Sequence, residues 1–240
     1  MNLREIALSS IFTGIVFVFT VIFTIATPAT RGFFNVGEAG VYLSAIIGGP
    51  IVGAIAGGLG SALADIFLGY AWYAPGTFVI KALEGFIVGW LFRVITKVSR
   101  RDRVIMGVSA SIVMFVVLVY HGCKGITVEL ILPKVIYKLY LPMEIVVIIA
   151  VAISSCLIYT GIKGDISSLM AFVCLLGGIE MVIGYFLYEA LFLGYGLVAI
   201  VEVPVNIGQA VIGTGIAIPV IKTLEEMGVS ASTETSKSEI

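Results

Sequence analysis

Runs of about twenty apolar residues, separated by short polar, glycine- or proline-bearing links, repeat from the N-terminus to about residue 223. Runs of that length can cross the hydrocarbon core of a bilayer as helices. The pattern predicts helices at about 4–26, 37–48, 50–69, 75–98, 104–120, 142–162, 167–191 and 197–223. The second is short for a full crossing, and Gly48-Gly49-Pro50 behind it predicts a tight break before the third. Gly49, Gly53 and Gly57 recur every four residues, so they share one stripe of a helix and let a neighbouring backbone come close. From Met227 the chain turns polar and Ser/Thr-rich, and 227–240 reads as a disordered cytoplasmic tail.

Composition agrees with the pattern. The chain is 60% hydrophobic and 12% charged, with a mean hydropathy of +1.14, well outside the soluble range of roughly 45–50% apolar and 25% charged. The expected class is therefore all-α, a polytopic membrane helix bundle over 1–226 forming one compact domain. A net charge of −1 argues against a nucleic-acid partner. Cys123, Cys156 and Cys174 lack CxxC spacing and predict neither a metal site nor a disulfide framework. Ile6–Ala26 is long enough to span and reads as a mature helix rather than a signal peptide.

Lysine and arginine set the orientation. With the N-terminus inside, the cytoplasmic side receives eight basic residues and the outer side four, which favours both termini in the cytoplasm. Arg93–Arg103 (RVITKVSRRDR) is the densest basic element, a topology anchor or a docking site for a cytoplasmic partner. Three aromatic or glycine-rich segments then face outward: 27–36, 69–75 and 192–196. Tyr70, Trp72 and Tyr73 suit either an interfacial belt or a wall over an outward-facing pocket.

Polar residues inside the runs mark the candidate site. Glu202, Asn206 and Gln209, at i, i+4 and i+7, project from one face of the final helix. Lys81 and Glu84, at i and i+3, can pair or converge on one cavity. Glu180, Tyr185 and Glu189 lie on the helix before the last, and Asn35, Glu38 and Asp65 complete the set. Charge at membrane depth costs at least about 2.5 kcal/mol per residue, so these groups face protein, water or a ligand. They either line a cavity open to the outside or form a network that holds helices together. His121, the only histidine, falls at an outer membrane edge away from any nucleophile, and Ser61 sits in a small-residue stripe. No phosphate-binding GxxxxGK[ST] loop occurs. The chain is thus read as no enzyme, with neither cofactor nor metal, and any ATPase driving it is another chain.

Five blocks carry a resemblance: NVGEA at 35–39, GGPIVGAIAGGLGSALAD at 48–65, YAPGTFVIKALEGFIVGWLFR at 73–93, GGIEMVIGYFLYEALFLGYG at 177–196 and VEVPVNIGQAVIGTGIAIP at 201–219. In order and spacing the chain resembles the substrate-binding S components of energy-coupling factor (ECF) vitamin transporters, in particular the riboflavin-type group. The resemblance implies a six-helix core that captures a vitamin from outside and associates with a transmembrane coupling subunit and cytoplasmic ATPases. It implies riboflavin or a related flavin as ligand. Asn35, Glu38, Lys81, Glu84, Glu202 and Asn206 would meet its polar edges, while Trp72, Tyr73 or Tyr185 would pack on a ring face. It further implies that small residues on the first helix dock the coupling subunit; Ala7, Ser10 and Gly14 provide such a face, although Ile11 stands where the usual AxxxA spacing would place a second alanine. Residues 101–165 depart from the family pattern and predict two extra hydrophobic helices inserted into the core, with 121–142 as their outer link. The alternative from a different class is a stand-alone proton-coupled secondary transporter working through Glu180, Glu189 and Glu202.

Overall fold

The computed structural model describes residues 1–27, 32–95, 99–122, 126–132, 135–141, 143–163 and 165–228. Within them the apolar runs form eight α-helices. α1, Leu3–Ile22, opens on a capping box in which Asn2 Oδ1 accepts the Glu5 N–H at 2.8 Å and Glu5 accepts the Asn2 N–H at 3.0 Å. It stops four residues short of the predicted end. Thr24–Thr27 is extended instead (β1) and pairs antiparallel with Gly32–Asn35 (β2), Ile25 opposite Phe34. The β-branched Thr24, Ile25 and Thr27 favour that strand over a further helical turn.

α2, Gly37–Gly48, is buried at every position from Gly37 to Ile47. At 1.5 Å per residue its 12 residues reach about 18 Å, too short to span, so it is a central helix. Gly49 (φ +87°) makes the predicted break, and Pro50 occupies the first turn of α3, Pro50–Phe67. α4, Ala74–Ile95, lies against α3 backbone to backbone. A Cβ on Gly53 would stand 2.6 Å from the Gly85 carbonyl oxygen, one on Gly57 2.6 Å from that of Lys81, and one on Gly89 2.6 Å from the Pro50 nitrogen. Gly53 and Gly57 of the predicted stripe make this contact, whereas Gly49 abuts the Arg93 guanidinium.

α5, Arg100–Gly122, and α6, Met143–Lys163, form a helical pair joined by a second hairpin of β3, Ile126–Leu132, and β4, Val135–Leu141, with Glu129 opposite Lys138. The bundle is helical as expected, and two short hairpins are added to it. The segment expected only as an outer link carries β-branched and aromatic residues on both sides of Pro133, the composition that favours strands. α7, Ile166–Leu187, runs on into a π-helical turn, Tyr188–Phe192; a 3₁₀ segment, Gly196–Val201, leads into α8, Glu202–Glu226. α1, α3, α4 and α8 pack around α2, α7 closes against α4 and α8, and the α5–α6 pair leans on α7.

Four helical segments among the described residues are long and apolar enough to cross a membrane: Leu3–Ile22, Pro50–Phe67, Ile166–Phe192 and Gly196–Glu226. α4 has the length, about 33 Å, but carries Lys81, Glu84 and Arg93. Residues 229–240, most of the segment read as a tail, and 96–98 of the basic loop lie outside the described residues.

At the end of the bundle away from the hairpins, Asp165 caps α7 through the Ser167 N–H (3.2 Å) and accepts from Lys222 Nζ at 2.6 Å. Partial burial alone would raise its carboxyl, but the bonds from Lys222 and Ser167 outweigh it and hold it below the usual carboxylate range. A carboxyl lowered in this way adds stability that is present above about pH 4 and fades as the pH falls through the folded-state value.

Candidate functional site

The three segments expected to face outward meet at one end of the bundle. Phe33 of β2 packs on Tyr70, with ring centroids 4.8 Å apart, and Tyr70 on Trp72 at 5.9 Å. Tyr188, in the π-helical turn, stacks on Phe192 and donates its hydroxyl to the Trp72 carbonyl at 2.8 Å. This aromatic cover closes over a polar cavity of about 30 Å³, room for one or two water molecules. Vitamin-sized ligands need pockets of several hundred Å³, so the cavity as it stands is too small for one.

The final helix contributes what its stripe predicted. Glu202, Asn206 and Gln209 are all buried and line the cavity. Gln209 is the joint between helix and cover: its Oε1 accepts the Asn35 N–H at 2.8 Å, and its Nε2 donates to Asn206 Oδ1 at 2.8 Å. Asn35 Oδ1 in turn accepts the Gly37 N–H at the start of α2. Gly32 sits so close that a Cβ there would stand 2.9 Å from Glu202 Oε1 and 3.4 Å from the Tyr73 hydroxyl.

The opposite wall comes from α3, α4 and the end of α7. Tyr185 donates its hydroxyl to Thr77 Oγ1 at 3.1 Å, and Thr77 is hydrogen-bonded to Asp65. Glu189 stands in the π-helical turn, a distortion common at functional sites, and its Oε1 accepts from the Tyr73 hydroxyl at 3.3 Å. Burial, then Glu189 and Glu202, push the Tyr73 phenol up, so it stays a donor at neutral pH. Two carboxylate oxygens on this wall, Asp65 Oδ2 and Glu189 Oε2, have no hydrogen-bond partner, although both residues are at least 96% buried.

Lys81 reaches the cavity from below and is held there. Its Nζ donates to Glu38 and, at 3.0 Å, to Glu84 Oε2, while the Tyr42 hydroxyl donates to Glu84 Oε1 at 3.1 Å. This buried triad ties α2 to α4.

The sequence-predicted residues thus divide. Asn35, Tyr73, Lys81, Tyr185, Glu202 and Asn206 line the cavity. Glu38 and Glu84 lie beneath it and bind Lys81, as a structural network would. Trp72 is exposed and stands in the cover, its ring against Tyr70 and its carbonyl bound by Tyr188. Glu180 lies outside the lining. Sequence reasoning missed Thr20, Gly32, Phe33, Ser61 and Thr77 as wall residues. Ser61 and Thr77 stand one turn before Asp65 and Lys81 on the same helix faces, a spacing that could have flagged both. Ala7, Ser10 and Gly14 are exposed on α1 and outside the cavity lining, and nothing lies within 4 Å of a Cβ built on Gly14.

Residues 1–164 match the family model described as ECF-type riboflavin transporter, S component. The matched range runs from α1 through α6 and so includes the pair read from the sequence as inserted. An uncharacterized protein in gap 3'region from Pyrococcus woesei is 46% identical over 81 residues, 34% of this chain and 54% of that protein, so the chain spans about half the length of the relative it matches.

Proposed function

The chain belongs to the ECF-type riboflavin transporter S component family, and from that premise we propose that it is the membrane-embedded capture subunit of an ATP-driven vitamin importer, with riboflavin or a related flavin as its ligand. The observation that carries this reading is the buried polar cavity beneath an aromatic cover, at the end of the bundle assigned to the outside. Its polar side chains are the kind of placed groups that fix the orientation of a small molecule, and Phe33 and the rings of Tyr73 and Tyr185 offer it apolar surface. In this reading cytoplasmic ATPases drive transport through a coupling subunit, and the chain itself carries no GxxxxGK[ST] loop. Cell uptake of labelled riboflavin that requires both this chain and an ATPase partner is the expected result. A purified protein that carries a different vitamin, identified by absorbance and mass spectrometry, would remove the flavin and keep the class.

Within the site, Asn206 contributes directly to affinity. Both polar ends of the Gln209 side chain are engaged inside the protein, whereas Asn206 is the cavity-lining amide that Gln209 positions. Asn206→Ala is expected to weaken flavin binding by about 1–3 kcal/mol, the cost of a lost bond to a desolvated ligand group, with Gln209→Ala weakening it less. Titration of both folded variants checks this, and equal affinities in the two variants and the parent would place the contact elsewhere.

The exposed face of Ala7, Ser10 and Gly14 is the proposed seat of the coupling subunit. Because a side chain at Gly14 meets nothing in its own chain, Gly14→Leu should leave folding and ligand affinity unchanged while disrupting a close helix contact with a partner. Copurification of the whole transporter reads this directly, and an intact complex would refute the docking role.

Both termini and the Arg93–Arg103 loop are assigned to the cytoplasm on the basic-residue balance. A cysteine at Arg101 should therefore resist a membrane-impermeant thiol reagent in intact cells, and labelling there would reverse the orientation.

A further inference from the structure

A second cavity, of about 390 Å³, opens between α5, α7 and α8 and shares no lining residue with the polar one. Small side chains create it. A Cβ on Gly178 of α7 would stand 2.5 Å from the Ala210 Cβ of α8, so these two helices close into a floor. α5 faces that floor with Ser109 and Ala110, which leave the remaining gap unfilled. The Ser109 hydroxyl, the side-chain polar atom among the described lining residues, is spent on its own helix and donates to the Met106 carbonyl at 2.8 Å. A buried water needs roughly two to four polar partners, and this lining does not supply them. Left empty, the cavity would cost its walls the dispersion contacts that close packing supplies.

We infer that the hydrocarbon tail of one membrane lipid fills it. α7 and α8 belong to segments long and apolar enough to cross a membrane, so hydrocarbon is the solvent around them. At the mouth stand Val113, Ile179 and Ile183, each roughly half exposed. Val113 and Ile179 lie about 20 Å from the starts of α5 and α7, deep in a hydrocarbon core about 30 Å thick. Tails reach that depth and headgroups do not. Past the mouth the lining is Ala110, Ala210 and Val211, on three helices, each at most 5% exposed. A lipid tail is narrow and flexible enough to reach them, whereas a partner helix about 10 Å across rests on the exposed side chains. The volume holds about a dozen methylene-sized groups at about 30 Å³ each, a length contained in one lipid tail. No charged residue is among the described lining residues, so the site selects a tail and is indifferent to the headgroup.

The test loads the intact chain from vesicles of equal parts dioleoylphosphatidylcholine and dioleoylphosphatidylglycerol, then counts by native mass spectrometry the lipids that survive detergent exchange. One lipid per chain should remain, with the two headgroups in about equal amounts. Val113→Trp at the mouth and Ala110→Phe inside should each lower that occupancy about fivefold or more, because an aromatic ring takes the volume of the tail. Either variant suffices should the other not fold. Val79→Trp, at an exposed position of α4 outside this lining, should leave occupancy unchanged. A chain that keeps no lipid, or that keeps phosphatidylglycerol alone, overturns the proposal. So does occupancy unmoved by every folded lining variant, or lowered as far by Val79→Trp. A dimer that dissociates on Val113→Trp also overturns it and makes this face an interface between copies of the chain. None of these outcomes bears on the capture reading, whose cavity has a different lining.

Discussion

Replacing Lys81 with methionine should destabilise the bundle by about 3–5 kcal/mol, the cost of leaving buried charge without its partner. Lys81 Nζ is the donor shared by Glu38 and Glu84, whose carboxyls are at most 1% exposed. Methionine keeps the length of the side chain and its packing but removes the ammonium, so two carboxyls on neighbouring helices face each other with the Tyr42 hydroxyl, on Glu84, as the compensation among the described residues. The measurement is thermal or denaturant unfolding in detergent without ligand, which separates this effect from any role of Lys81 in the cavity above. Neutralising all three positions together, Lys81→Met with Glu38→Gln and Glu84→Gln, should recover most of the loss, since a buried ion cluster can be exchanged for neutral groups at little cost. A Lys81→Met protein as stable as the parent would show that the triad holds nothing.

The triad also shows how far the site could be read from the sequence. The intramembrane charges were visible at once, and two readings stood open, cavity or structural network. The structure divides the residues between a cavity lining and a network. Glu38, Lys81 and Glu84 interlock beneath the cavity, while Asp65, Glu189, Glu202, Asn206 and Gln209 line it. Spacing alone could not make that division, because i, i+3 and i, i+4 place residues on a face without saying which neighbour the face meets.

The helices were legible because membrane-length apolar runs leave little choice of structure. The short central helix α2 was marked by its length and by Gly48-Gly49-Pro50. The hairpins were not read. Four-residue strands after a membrane helix look like its last turn, and β1 was accordingly taken into the first helix. That error hid the part of the cover formed by Gly32 and Phe33. Hydroxyl residues were overlooked for a different reason: Thr20 donates to the Val16 carbonyl one turn back, an internal bond that lets threonine pass as apolar in a membrane helix.

The packing of α3 on α4 carries a second large effect. These helices bring Asp65 to one wall of the cavity and Thr77 and Lys81 to the same site, so their separation sets the geometry of everything above the triad. The separation is set by glycine. A Cβ on Gly85 would overlap the Gly53 carbonyl, and one on Gly53 would stand 2.6 Å from the Gly85 oxygen and 2.8 Å from the Ala45 Cα. The obstacles are backbone atoms, which cannot rotate away as a flexible side chain would. Gly85→Leu should therefore force the helices apart over their whole contact, at a cost of about 3 kcal/mol or more, the upper end for overpacking. It should also abolish ligand binding in whatever fraction stays folded. Gly69→Ala is the wrong control because of its positive φ; Gly215, in a helix with nothing within 4 Å of a built Cβ, is the right one. Gly215→Ala should unfold at the parent's temperature or slightly above, since alanine favours a helix interior over glycine by about 1 kcal/mol. If Gly85→Leu unfolds alongside Gly215→Ala and still binds its ligand, the close approach of α3 and α4 does not hold the site.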